Sequence, residues 1–107
     1  MEKRYNLVFD DIVVKQLKKV AKNNIIKEIL TKMLDRLEFL GPDSGTLLDS
    51  QLFIYEMKNK HPPIRLYFKH SQQTNEIYVF EFEMKTSPEK QRQTIKKVRQ
   101  KAGSLKS

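Results

Sequence analysis

Apolar residues recur along the chain with two different periods, and the switches between them divide it into strands and helices. Tyr5 to Phe9 alternates loosely and stops at Asp10-Asp11, where a carboxylate suits the first free amides of a helix. From Ile12 the apolar positions Val13, Leu17, Val20 and Ala21 follow helical spacing, with Lys15, Lys18, Lys19 and Lys22 on the other positions. This pattern predicts an amphipathic, basic helix. Asn23-Asn24 interrupts it and caps a second helix carrying Ile26, Leu30, Met33, Leu37 and Leu40. Gly41-Pro42 ends that helix, since glycine accepts a left-handed conformation and proline cannot continue the hydrogen-bond ladder.

The second half changes to the shorter period. Asp43 to Gly45 is turn material, Leu52 to Met57 has strand composition, and Lys58 to Pro63 is a basic loop because its two prolines supply no ladder donors. Alternation from Ile64 to Lys69 is strict: Ile64, Leu66 and Phe68 face one way, Arg65, Tyr67 and Lys69 the other, predicting a strand with one wet, cationic face. Ser71 to Asn75 is a polar turn. Ile77 to Met84 then predicts a strand with Tyr78, Phe80, Phe82 and Met84 on one side, Glu81 and Glu83 on the opposite one. Ser87-Pro88-Glu89 starts a last helix, with a narrow stripe of Ile95, Val98 and Ala102 before Gly103. The expectation is an α+β domain spanning residues 1–107, a small antiparallel sheet in the order β-α-α-β-β-β-α with helices packed on one side.

Charge sharpens this picture. The 107 residues carry a net charge of +8, which favours an anionic partner. The excess is uneven: Met1 to Asp43 has nine basic and seven acidic residues, Ser44 to Met84 four and five, and Lys85 to Ser107 eight and one. No cysteine is present, which excludes disulfides, cysteine nucleophiles and cysteine-based zinc sites, and only His61 and His70 remain as imidazole ligands. No apolar run approaches a signal peptide or a membrane span, so a cytoplasmic protein without a membrane partner is expected.

The order of elements, together with Ile54-Tyr55-Glu56-Met57-Lys58, Ile64-Arg65-Leu66-Tyr67-Phe68 and Phe82-Glu83-Met84-Lys85-Thr86-Ser87-Pro88, resembles the RelE/ParE superfamily of bacterial toxins. The closest likeness is to its HigB-like branch. That branch has a strand reading apolar-Tyr-Glu-apolar-Arg/Lys, a strand reading Arg-x-x-Tyr-Phe, and a Phe-x-Lys-Lys stretch leading to a proline-started terminal helix. Here the tandem lysines are Met84-Lys85, and no histidine or tyrosine follows Pro88, although several members place a catalytic residue near that end. The resemblance implies the toxin of a type II toxin–antitoxin pair that cleaves messenger RNA, commonly on the ribosome, until a helix-turn-helix DNA-binding antitoxin covers it. The chemistry needs a base for the ribose 2′-hydroxyl, cations for the phosphorane and an acid for the leaving 5′-oxygen, with no metal or other cofactor.

Arg65 is the first candidate, because a strand fixes its stem and its guanidinium can hold two phosphate oxygens; its alternative role is an ion pair with Glu56, Glu81 or Glu83. Lys58 at a strand exit and Lys85 beside the last strand complete the expected cationic cluster. His61, in the basic loop, is the candidate acid or base, since imidazoles titrate near neutrality. Lys60, Lys69 and Tyr67 are candidate nucleic-acid contacts, the tyrosine alternatively a cover for the sheet. Two other functions fit the same scaffold: a non-nuclease inhibitor of DNA gyrase resembling the ParE branch, and a basic RNA-binding module without catalysis.

Overall fold

The computed structural model describes residues 4–84 and 87–105. Strand β1 (Asn6–Phe9) leads into α1 (Asp11–Val20) and α2 (Asn24–Leu40); a short 3-10 turn (Gly41–Ser44) is followed by β2 (Thr46–Asp49), β3 (Ile54–Asn59), β4 (Ile64–Ser71), β5 (Glu76–Met84) and α3 (Pro88–Ser104). Each helix starts where a side chain satisfies a free amide: Asp10 accepts from Ile12 N at 3.0 Å, Asn23 from Ile26 N at 3.2 Å and Ser87 from Lys90 N at 3.2 Å. Gly41 closes α2 at φ 56°, and a Cβ there would run into the Tyr5 ring.

The five strands form one sheet in the order β1-β5-β4-β3-β2. The pairs β2–β3, β3–β4 and β4–β5 are antiparallel, as short connections demand. Two features of the strand topology differ from the sequence expectation. Strand β1 runs parallel to β5, because the two intervening helices return the chain to the far edge. Strand β2 is an additional strand, which the adjacent Leu47-Leu48 pair hides from a period-two pattern; Gly45 before it admits no side chain, as a Cβ would lie 2.8 Å from the Glu56 carbonyl.

Helices cover both faces of the sheet, not one. Against one face α1 and α2 pack Val13, Ile26, Leu30, Met33 and Leu37 onto Met57, Ile64, Leu66, Phe68, Ile77, Val79 and Phe82. Against the other, α3 packs Val98 and Ala102 onto Ile54, Tyr67 and Phe80. The face expected to be wet is therefore covered. A bulge explains the change: Tyr67 pairs with Glu81 but Phe68 with Val79, so Phe80 is an extra residue in β5. Tyr78, Phe80, Glu81 and Glu83 consequently share the α3 side, and Phe82 turns to the other core.

Strand β1 pairs with β5 only as far as Val79. Beyond it, the Gln16 amide takes over the ladder, donating to Phe82 O at 2.9 Å and accepting from Phe82 N at 3.0 Å. Gln16→Ala strands both backbone groups, and an unmet buried polar group costs about 1–3 kcal/mol. Thermal denaturation should show a lower Tm by several degrees; an unchanged Tm would mean that water replaces the amide at no cost.

Candidate functional site

The loop between β3 and β4 gathers cations at one end of the sheet. Lys58, Arg65 and Glu83 occupy one register row across β3, β4 and β5, and Glu56, Tyr67 and Glu81 the next row inward. Alternation puts all six on the α3 side. At the centre is Glu56, 4% exposed. Its Oε2 accepts from the Arg65 guanidinium at 3.1 Å and from the Gln91 amide of α3 at 3.1 Å, while Oε1 lies 3.5 Å from Lys58 Nζ. One buried carboxylate thus orients two cations. Arg65 keeps 32% of its side chain exposed and Lys58 57%, so both still face water.

Lys58, Asn59, Lys60, His61, Pro63, Ile64 and Arg65 line a single shallow cleft of about 320 Å³. Its floor is shaped by the Asn59 side chain, which donates to the Pro62 carbonyl at 2.9 Å and closes the loop on itself. Four of the sequence candidates, Arg65, Lys58, Lys60 and His61, therefore surround one opening. Phosphate-sized anions suit it, since guanidinium and ammonium donors line it and none of the lining residues is a carboxylate.

Two candidates lie elsewhere. Tyr67 is fully buried beneath α3 and donates its hydroxyl to Glu83 Oε2 at 3.0 Å; burial, with the Glu83 carboxylate beside it, pushes its phenol far above the usual range, so it stays neutral. Lys69 is 2% exposed, donates to the Leu52 carbonyl at 2.7 Å and sits 5.7 Å from the Phe53 ring centre. Burial lowers its pKa against the pull of Asp49. The expectation of an open face is corrected: Tyr67 takes its alternative role as a cover for the sheet beneath α3, and Lys69 is enclosed at Leu52 and Phe53. Lys85 lies outside the described residues.

Sequence reasoning weighed Glu56 only as a competitor for Arg65 and missed it as the organiser of the cluster. Its place two residues before Lys58 on an alternating strand was the available signal. Gln91, thirty-five residues away in the chain, had none. Glu83 is capped from α3 by the Thr94 hydroxyl. Glu81 is less well served: Lys97 Nζ is 3.9 Å from its Oε1, within ion-pair range, yet that oxygen accepts no hydrogen bond. Burial raises its pKa, with Lys97 and Lys101 opposing.

A second depression, of about 270 Å³, lies between Phe9, Tyr78, Phe80 and Leu105; its cation, Lys101, is already bound to Asp10 at 2.9 Å, so it offers an anion little. Among the described residues no group of His, Asp or Glu has metal-binding geometry, and no helix is long and apolar enough to cross a membrane.

No family model and no curated relative matches the chain in sequence. Solved structures do match in fold. The intact E. coli RelBE toxin–antitoxin complex aligns with a TM-score of 0.61 at 20% identity, covering 78% of this chain and 100% of that one. The isolated E. coli RelE toxin aligns at 0.63 and 20% identity, covering 89% and 99%. An arginine double mutant of E. coli RelE in the free state aligns at 0.67 and 19% identity, covering 88% and 97%.

The strained environment of Glu81 has a measurable consequence. A carboxyl whose pKa is raised on folding costs stability above that raised value, and the cost fades as pH falls toward the unfolded value near 4.5. Glu81→Gln should therefore raise Tm by a few degrees at pH 7.5, with the two proteins converging near pH 4. A lower Tm at pH 7.5 would show that Lys97 and Lys101 outweigh desolvation.

Proposed function

Starting from a chain that carries the RelE fold, we propose that it is the toxin of a type II toxin–antitoxin pair, of the HigB-like branch, and that it cleaves messenger RNA on the ribosome without a metal ion. The observation that carries this reading is the cleft, where Arg65, Lys58, Lys60 and His61 surround one opening with Glu56 behind them.

A phosphate in the cleft meets the guanidinium edge that Glu56 leaves free, together with the Lys58 ammonium. The ribose 2′-oxygen attacks the adjacent phosphorus as the bond to the 5′-oxygen breaks, and the two cations stabilise the charge that grows on the phosphorane oxygens. His61, exposed at the rim, exchanges protons with the attacking or leaving oxygen. Lys60 holds a neighbouring phosphate. Glu56 already accepts from two donors through Oε2 and faces Lys58 through Oε1, so its part is to position the cations. Tyr67 and Glu83 act beneath them, fixing the strand row that carries Arg65.

An antitoxin partner is supported by the likeness to RelE as found in a toxin–antitoxin complex, and the HigB-like motifs favour one of the helix-turn-helix, DNA-binding kind. Such a partner silences the activity by covering the cleft.

Expression in bacteria should halt translation and create new messenger 5′ ends detectable by primer extension. Loss of one charge-stabilising donor typically costs about 10²–10³-fold in rate, so Arg65→Ala should abolish those ends, and His61→Gln should reduce them. Cleavage by Arg65→Ala at the wild-type rate would overturn the assignment. Intact messages with a DNA-damage response would replace it with gyrase inhibition.

A further inference from the structure

A row of lysines on α1 takes no part in the cleft. Lys15, Lys18 and Lys19 stand on the helix and Lys22 in the turn that follows, all exposed. Spacings of three and four residues place them on one side, with neighbouring Cβ atoms about 5–6 Å apart. Val13, Leu17 and Val20 on the opposite side enter the core. None of the four lysine side chains has an ion-pair or hydrogen-bond partner among the described residues.

Register locates this row relative to the cleft. The Asp10 amide bonds to Val79 O at 2.9 Å, and Gln16 bonds to Phe82. Six helical residues rise about 9 Å and three strand residues about 10 Å, so α1 and β5 advance together. The segment from Lys18 to Lys22 is therefore level with the end of β5 at Met84, whose partner on β4 is Ile64 in the cleft wall. Both sets of cations share one end of the sheet.

We propose that this row is a second contact for single-stranded RNA, gripping phosphates that flank the stretch held in the cleft. The inference rests on the RNA-cleaving function proposed above and supplies the path of the strand. The chemistry favours a phosphate backbone over an acidic protein. Lysine is a mobile point charge without the planar fork of arginine, suited to contacts that ignore sequence. Protein interfaces instead concentrate Trp, Tyr and Arg and are depleted in Lys.

The test is the quadruple variant Lys15→Gln, Lys18→Gln, Lys19→Gln and Lys22→Gln in the full chain, its fold checked by circular dichroism. Binding of a fluorescein-labelled single-stranded RNA of about twenty nucleotides is followed by anisotropy over a range of potassium chloride concentrations. Each phosphate contact on a single strand contributes about 0.7 to the slope of log affinity against log salt. The variant should lose about 2–3 units of slope and at least tenfold in affinity at low salt. A tetranucleotide, long enough only for the cleft, should bind both proteins equally. Should the quadruple variant misfold, Lys18→Gln with Lys22→Gln is read in the same assay, with about half the change in slope expected. Unchanged slope with intact cleavage would overturn this inference and leave the nuclease standing; a wild-type chain that neither binds the RNA nor cuts messenger RNA on the ribosome would overturn both. Loss of binding to poly-glutamate with RNA binding unchanged would assign the row to an acidic protein and also overturn it.

Discussion

Strand β4 is covered by helices on both faces, and this constraint shapes everything built around it. On one face Ile64, Leu66 and Phe68 pack against α1 and α2. The other carries Arg65, Tyr67 and Lys69, which cannot leave water without partners. Glu56, Glu83 and the Leu52 carbonyl supply them. Those carboxylates, and Glu81 beside them, in turn need partners from above, which explains why α3 brings Gln91, Thr94 and Lys97 to the sheet instead of a broad apolar stripe. The half-polar helix fits a half-polar seat.

Along that strand the cover thins. Lys69 and Tyr67 are enclosed, Arg65 is a third open, and Lys58 beside it is more open still. The cleft lies where the cover gives out, so cations held by a buried carboxylate meet water at the sheet's end. In this arrangement the ion pair between Arg65 and Glu56 and the availability of Arg65 to a ligand are compatible: one edge of the guanidinium is anchored and the other is free. Under the proposed function, this rim is where a phosphate would be held.

What could be read in the sequence was local. Asp10, Asn23, Gly41 and Ser87 marked helix ends because capping depends on neighbours a few residues away. Arg65, Lys58, Lys60 and His61 were legible one by one as candidates on a single hairpin, but the cluster expected from the sequence was Arg65, Lys58 and Lys85, and Lys85 lies outside the described residues. The bulge at Phe80 was not, since the alternation of Tyr78, Phe80 and Phe82 looks regular until pairing with β4 shows one residue too many. Without it, Glu81 and Glu83 were assigned across the sheet from Phe80, and the face below α3 looked open. The parallel pairing of β1 with β5 and the bond from Gln91 to Glu56 join parts of the chain too distant for any short pattern to report.

The bond from Asn59 to Pro62 has an entropic consequence. A loop free to wander must surrender its motion when a ligand arrives, and each side chain frozen at that moment weakens binding by about 0.5–1.5 kcal/mol. Here the chain ends of the loop are stapled during folding, and two consecutive prolines restrict what remains between them. Preorganisation of this kind leaves the electrostatic attraction of the rim largely undiminished, so under the proposed function a flexible strand of nucleic acid, not the protein, would bear the ordering cost of the encounter.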